Sequence, residues 1–213
     1  MKVHESFPKQ KLLVEGNDDK HIIWALCQKY KLSHNFDVID TVGVENIFKQ
    51  IPIRFKQADI ETIGIIIDAD TNIQNRWVSI KNILEKQGLK VPETCPEKGL
   101  IVQNDDIKVG VWLMPNNETN GMIEDFIRFL VPSDDKLLPI VETHLDDIES
   151  QNLNLYTDVH RSKALIHSWL AVQETPGTPM GLAITKRYLN TDDENCQVFI
   201  DWLKRLFNQK TPS

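Results

Sequence analysis

The stretch IGIIIDADTN, residues 63–72, decides the fold. Five apolar or small residues run without a break into two aspartates one residue apart. TIGIII, 62–67, is apolar on both faces and short enough for a strand. That pattern suits the central strand of a parallel sheet covered by helices on both sides. The aspartates then fall at the strand's C-terminal end, where open α/β sheets collect their ligands. In an extended segment residues i and i+2 point the same way. Asp68 and Asp70 are therefore expected to converge on one point while Ala69 points elsewhere.

Working outward, KLLVE, 11–15, reads as a short buried strand ending in Glu15. GND and a helical pattern follow, with Ile22, Ile23, Leu26, Cys27 and Tyr30 on one face. Asn17 is the expected N-cap, which places Asp18 and Asp19 in the first turn. FDVIDT, 36–41, is a second strand, and 45–55 a helix interrupted near Pro52. Another helix covers 74–87. Strand and helix alternating three times define an α/β fold with a mostly parallel sheet flanked by helices.

Downstream, GLIVQ (99–103) and VGVWLM (109–114) pair as a hairpin through NDDIK. PNNETNG, 115–121, is a turn-rich loop whose asparagines suit either a substrate contact or a plain turn. MIEDFIRFLV is a helix ended before Pro132. Helices are expected at 137–150, 159–172, 180–189 and 194–208, with PGTPMG, 176–181, bending the chain between two of them. The expected organisation is one domain over 1–213, an α/β core at 1–131 and a helical C-terminal part at 132–213 packed on it.

Composition narrows the class. Hydrophobic residues make up 41% and charged residues 26%, which is ordinary globular usage. Lys and Arg total 24 against 31 Asp and Glu, a net charge of −7. That balance argues against a protein that coats duplex nucleic acid. It leaves room for a local basic groove, or for carboxylates that meet phosphate through cations. Cys27, Cys95 and Cys196 are far apart and odd in number, so neither a disulfide framework nor a thiolate metal site is expected. The start MKVHESFPKQ lacks the apolar core of a signal peptide, and no apolar run approaches a membrane span. A soluble cytoplasmic protein is expected, with no membrane partner; a homodimer is the commonest symmetric assembly.

The acids carry the chemistry. Glu15 and the Asp68/Asp70 pair end two strands that are expected neighbours. Carboxylates brought together repel, and burial raises the cost; a divalent cation removes it. Mg²⁺ takes hard oxygen ligands and keeps waters and a substrate phosphate in its shell, and two such ions suit phosphodiester cleavage. A DxD after a strand also suits a turn in which Asp70 caps its own backbone. Asp19, four residues after Glu15, suits either the site or the N-terminus of its helix. Glu124 flanks the apolar face of Met122, Ile123, Phe126, Ile127 and Leu130, which on the plain reading makes it a solvated helix carboxylate. Lys163 opens an amphipathic helix; beside clustered acids it would neutralise phosphate charge, and otherwise it is a surface lysine. Arg76 and Trp77 suit phosphate and base contacts, or capping and core. Trp24, Trp112, Trp169 and Trp202 read as core. His160 and His167 are placed to share a helix face but have no metal-ligand spacing.

LLVEGNDD followed by IGIIIDAD resembles the Toprim domain of topoisomerases, bacterial primases and overcoming-lysogenization-defect (OLD) nucleases. That family carries a glutamate after its first strand and a DxD after its third, matching Glu15, Asp68 and Asp70. The resemblance implies a compact α/β domain that binds Mg²⁺ or Mn²⁺. In the OLD-type nucleases a further acid matches Asp19, a glutamate in a later helical segment is best matched by Glu124, and a distal lysine by Lys163. GVWLMPNN, NGMIEDF, KALIHSWLAVQ and PGTPMG resemble the uncharacterised family DUF3226 over nearly the whole chain. There is no Walker A sequence, no zinc-binding cysteine set and no supporting pattern around Tyr30, Tyr156 or Tyr188, so topoisomerase and primase match poorly. The resemblance implies a metal-dependent phosphodiesterase acting on nucleic acid. Glu15, Asp68 and Asp70 would hold one ion, Asp19 and Glu124 help place a second, and Lys163 steady the phosphate. Two other functions suit the same residues: a non-catalytic regulatory protein with a protein partner, and a phosphatase acting on small nucleotides.

Overall fold

A computed structural model describes residues 9–208. The N-terminal stretch read for a signal segment lies almost wholly outside them. Strands β1 (Gln10–Val14), β2 (Asp37–Asp40), β3 (Thr62–Asp68), β4 (Leu100–Gln103) and β5 (Lys108–Met114) form one sheet in the order β2-β1-β3-β5-β4. β2, β1, β3 and β5 are parallel, and β4 closes an antiparallel hairpin with β5. The stretch 62–67 is buried at every position, as a central strand requires.

The helices are α1 (Asn17–Lys29), α2 (Val44–Phe55), α3 (Ile73–Glu85), α4 (Ile123–Phe129), α5 (Leu137–Ser150), α6 (Arg161–Ala171), α7 (Met180–Thr185) and α8 (Glu194–Leu206). Alternate strand residues feed two cores. Leu12, Val14, Ile66, Trp112 and Met114 pack with side chains of α1, α4, α6, α7 and α8. Leu13, Ile65, Ile67, Val111 and Leu113 pack with α2 and α3 on the other face. The mostly parallel sheet flanked by helices thus forms as expected, and the helical C-terminal part shares the first of these cores.

Two glycines seat α8 on the sheet. Gly64 and Gly110 are direct neighbours across β3 and β5. A Cβ on Gly64 would stand 2.5 Å from Leu12 Cδ1 and 3.0 Å from Leu206 Cδ2. One on Gly110 would stand 2.6 Å from Leu206 Cδ2. The bare backbone lets Leu206 and Trp202 drop onto the strands. Gly110→Val is expected to destabilise the fold by about 1–3 kcal/mol through overpacking, measured as a lower urea midpoint. An unchanged midpoint would mean that α8 does not depend on this seat.

Several local expectations are corrected. Gly16, in extended backbone, is the N-cap of α1, and Asn17 is its first helical residue. α2 runs through Pro52 without interruption. The proline removes one backbone hydrogen bond, and burial of Ile47 and Ile51 holds the helix together. α7 stops at Thr185 because Arg187 adopts a left-handed φ of 63° and the Tyr188 N–H turns back to the Ala183 carbonyl. His160 lies in a short 3-10 turn before α6, not on one helix with His167, and both are exposed.

Candidate metal and phosphate site

The chain leaves β1 through α1 to reach β2 on one side, whereas β3 lies on β1's other side. The strand order therefore reverses between β1 and β3. Beyond the C-terminal ends of such a pair an open α/β sheet forms its ligand crevice. Glu15 follows β1 directly and Asp68 ends β3. The two are tied together: the Asp68 backbone N–H donates to Glu15 Oε1 at 2.8 Å. The Glu15 carbonyl in turn accepts from the Gly43 N–H at 2.8 Å, so the loop entering α2 fixes its backbone.

Asp19 reaches back over the first turn of α1. Its Oδ2 accepts from the Gly16 N–H at 3.1 Å, while Oδ1 is buried with no hydrogen-bond partner. Asp68 Oδ1 is likewise sealed from water without a partner. Buried, unpaired carboxylate oxygens disfavour the charged form. Burial first, and then the charge of Glu15, pushes Asp19 up to about 7. Burial also raises Asp68 well above the usual carboxylate range, reinforced by Asp19, Glu15, Glu124 and Asp70. Glu15 is raised by burial, partly offset by its bond to the Asp68 N–H.

Asp70 departs from expectation. The strand ends at Asp68, and Asp70 takes a left-handed φ of 51°. It does not simply repeat the direction of Asp68. Its N–H and carbonyl exchange hydrogen bonds with Gly121 at 2.9 and 2.8 Å, and its Oδ2 pairs with Arg76 Nη2. Its charge still acts on Glu15 and Asp68. Gly121 must be glycine: φ is 139°, and a Cβ would stand 2.6 Å from Asp125 Oδ2.

Loop 115–121 is a brace. Asn120 Oδ1 accepts from the Ile73 N–H and its Nδ2 donates to the Thr71 carbonyl. Asn117 is buried, accepts from the Leu113 N–H and donates to the Glu97 carbonyl. Asn116 accepts from the Glu118 and Thr119 N–H groups. The side-chain oxygens of these asparagines are spent on backbone N–H groups, as the turn reading requires.

Glu124 is the largest correction to the plain reading. It is 2% exposed, not solvated. Its Oε1 stands 3.4 Å from Lys163 Nζ, a side chain that is itself 52% exposed. Next to them, Ser162 Oγ donates to Asp125 Oδ1 at 2.5 Å, and Asp125 Oδ2 caps the Met122 N–H. Consecutive residues on α4 thus meet consecutive residues on α6. The helical part brings Lys163 to the acids across a long sequence separation. Asp125 is a capping and docking residue.

Asp68 therefore lies within reach of the charge of four other carboxylates, Glu15, Asp19, Asp70 and Glu124. A cation stands at each edge, Arg76 on Asp70 and Lys163 on Glu124. As placed, no three His, Cys, Asp or Glu side chains among the described residues close on a common point that would hold a metal ion. Arg76 is a residue the DxD pattern did not single out as an acid partner; its offset of six from Asp70 spans a loop and the first turn of α3. Trp24, read as core, is only half-buried. It lines an open cleft of about 450 Å³ between α1 and α7 with Asn17, Asp18, His21 and Leu182. Trp77, Trp112, Trp169 and Trp202 are buried. The cysteines are unpaired, and burial pushes all three thiols up to about 12.

Fold and site define an α/β protein with an acidic cluster at the reversal point of a mostly parallel sheet. The chain belongs to the family described as a protein of unknown function, DUF3226, whose family model matches residues 9–208. No curated protein and no solved structure matches it. Among the described residues no helix is long and apolar enough to cross a membrane.

Proposed function

We propose that this protein is a Toprim-like phosphodiesterase that hydrolyses nucleic acid with Mg²⁺ or Mn²⁺. The observation that carries the reading is the bond from the Asp68 N–H to Glu15 Oε1, which joins the two strand ends on which the matching acids sit. The donor set suits a hard cation: all oxygen, with Asp19 Oδ1 and Asp68 Oδ1 buried and unpartnered. Such oxygens are costly as they stand, and a divalent ion is the group that would compensate them. Glu15, Asp68 and Asp70 would hold one ion, with Asp19 and Glu124 helping to place a second. Divalent ions supply Lewis acidity at phosphate and a nucleophile at neutral pH.

The chain's own groups do the rest. Glu15 orients the turn after β3 through its backbone bond. Glu124 holds Lys163 at the rim, where its ammonium meets the anionic phosphate. The excess of acid over base in the whole chain argues against broad attraction to a phosphate backbone.

The direct test is cleavage of plasmid and of single-stranded DNA by the purified chain in Mn²⁺, Mg²⁺ and EDTA. A small-nucleotide phosphate ester serves as a further arm. Metal-dependent DNA cleavage, lost in Glu15→Gln with its circular dichroism unchanged, is expected. Release of phosphate from the small ester alone would redirect the substrate class. No turnover in any arm would leave a fold without the chemistry.

A further inference from the structure

We propose that Arg76 is the phosphate-positioning residue of this site, holding a non-bridging oxygen of a nucleic-acid phosphodiester beside Asp70; the inference rests on the nuclease reading above. The arginine stands in the first turn of α3, and that turn is braced by hydrogen bonds at its start. Asn72 caps it by accepting from the Asn75 N–H at 2.9 Å. The Ile73 N–H is held by Asn120. Trp77, the next residue, is fully buried, and its indole N–H donates to the Pro92 and Glu93 carbonyls. The guanidinium is thus delivered from a fixed point.

Its donors are only partly used. Nη2 pairs with Asp70 Oδ2. Among the described residues Nε and Nη1 meet no hydrogen-bond partner. Neither is sealed from water, since the buried unpartnered atoms do not include them. The side chain is 16% exposed, so the remaining donors keep some access to solvent beside the acidic cluster, and the charge reaches Glu15. A guanidinium has five N–H donors in one plane and suits two oxygens of a phosphate. Other arginines are committed elsewhere: Arg161 to Glu149 and Asp146, and Arg128 to Glu142.

A charged residue inside an acidic cluster has two possible uses. As a plain counter-ion it steadies Asp70, and its loss would loosen whatever Asp70 binds. As a phosphate clamp it acts on the substrate, and a cation bound by Asp70 would gain from the loss of a neighbouring positive charge. Lys163 brackets the opposite edge through Glu124. The two cations thus reach acids of the cluster from α3 and from α6.

Binding of a fluorescently labelled single-stranded oligonucleotide to the full chain, read by anisotropy in Ca²⁺, separates these uses. Mn²⁺ affinity is measured in parallel by calorimetry without DNA. Arg76→Gln is expected to weaken oligonucleotide binding about 10- to 100-fold. It should also lower the salt slope by about 0.7, with Mn²⁺ affinity unchanged or tighter. Arg76→Lys keeps the charge without the fork and is expected to recover only part of the loss; it also serves if the glutamine variant fails to fold. Oligonucleotide affinity unchanged in Arg76→Gln overturns the proposal. So does a loss matched by an equal loss of Mn²⁺ affinity, or a wild-type chain that does not bind the oligonucleotide. If wild type binds in an Arg76-dependent manner yet does not cleave in Mn²⁺, the nuclease reading fails while the phosphate contact stands.

Discussion

Replacing Asp68 by asparagine is expected to abolish Mn²⁺- and Mg²⁺-dependent cleavage and, in the same protein, to raise the melting temperature measured in EDTA at pH 8. The two effects have one cause. Asn is close to Asp in shape but carries no charge. Asp68 Oδ1 is sealed from water without a partner, and the carboxyl is pushed up by burial and by Asp19, Glu15, Glu124 and Asp70. Ionising it in the metal-free fold costs stability, and the amide removes that cost. On the proposed function the same charge would be a metal ligand, and removing it is expected to lower the rate by about three orders of magnitude or more. A variant that cleaves like wild type ends the catalytic assignment. A variant that cleaves poorly and melts lower in EDTA contradicts the electrostatic account of the cluster.

The second large effect is on pH dependence. Asp19 is raised from its ordinary 3.8 to about 7. Between those values the folded chain binds more protons than the unfolded chain, so stability falls as pH rises through that window. In EDTA the protein is expected to melt higher at pH 5 than at pH 8. A tenfold change in proton concentration within the window corresponds to about 1.4 kcal/mol. A domain of this size moves by about 2–4 °C per kcal/mol. A drop on the order of 5–10 °C between pH 5 and pH 8 follows from this group. On the proposed function millimolar Mn²⁺ would require the ionised carboxylates and so compete with the protons. Its stabilisation is therefore expected to be small at pH 5 and large at pH 8, with proton release on binding at pH 6. Scanning fluorimetry across pH with and without Mn²⁺ reads both. A melting temperature in EDTA that climbs steadily from pH 5 to 8 would contradict the buried, protonated state of Asp19.

The sheet was legible because its signal is local. The run 63–67 is apolar or small at every position, and a strand with helices on both faces is the structure that buries all of it. Glu15 and Asp68 were legible for the same reason: each stands where a readable strand stops. Asp70 was harder. The rule that i and i+2 align holds only in extended backbone, and the pairing with Gly121 turns Asp70 into the left-handed region. Glu124 and Lys163 were beyond local reading. On a helical projection Glu124 flanks an apolar stripe, and nothing in its neighbourhood says that α6 will cover it.

Periodicity and strand-end chemistry, both properties of neighbouring residues, were enough to establish an α/β chain with acids at the carboxyl ends of β1 and β3. Contacts between residues far apart in the chain did the remainder. They buried Glu124 under Lys163, turned Asp70 through its pairing with Gly121, left Asp19 and Asp68 with orphaned oxygens, and seated α8 on Gly64 and Gly110. Burial and charge coupling depend on which surfaces meet, and adjacency along a chain carries no record of that.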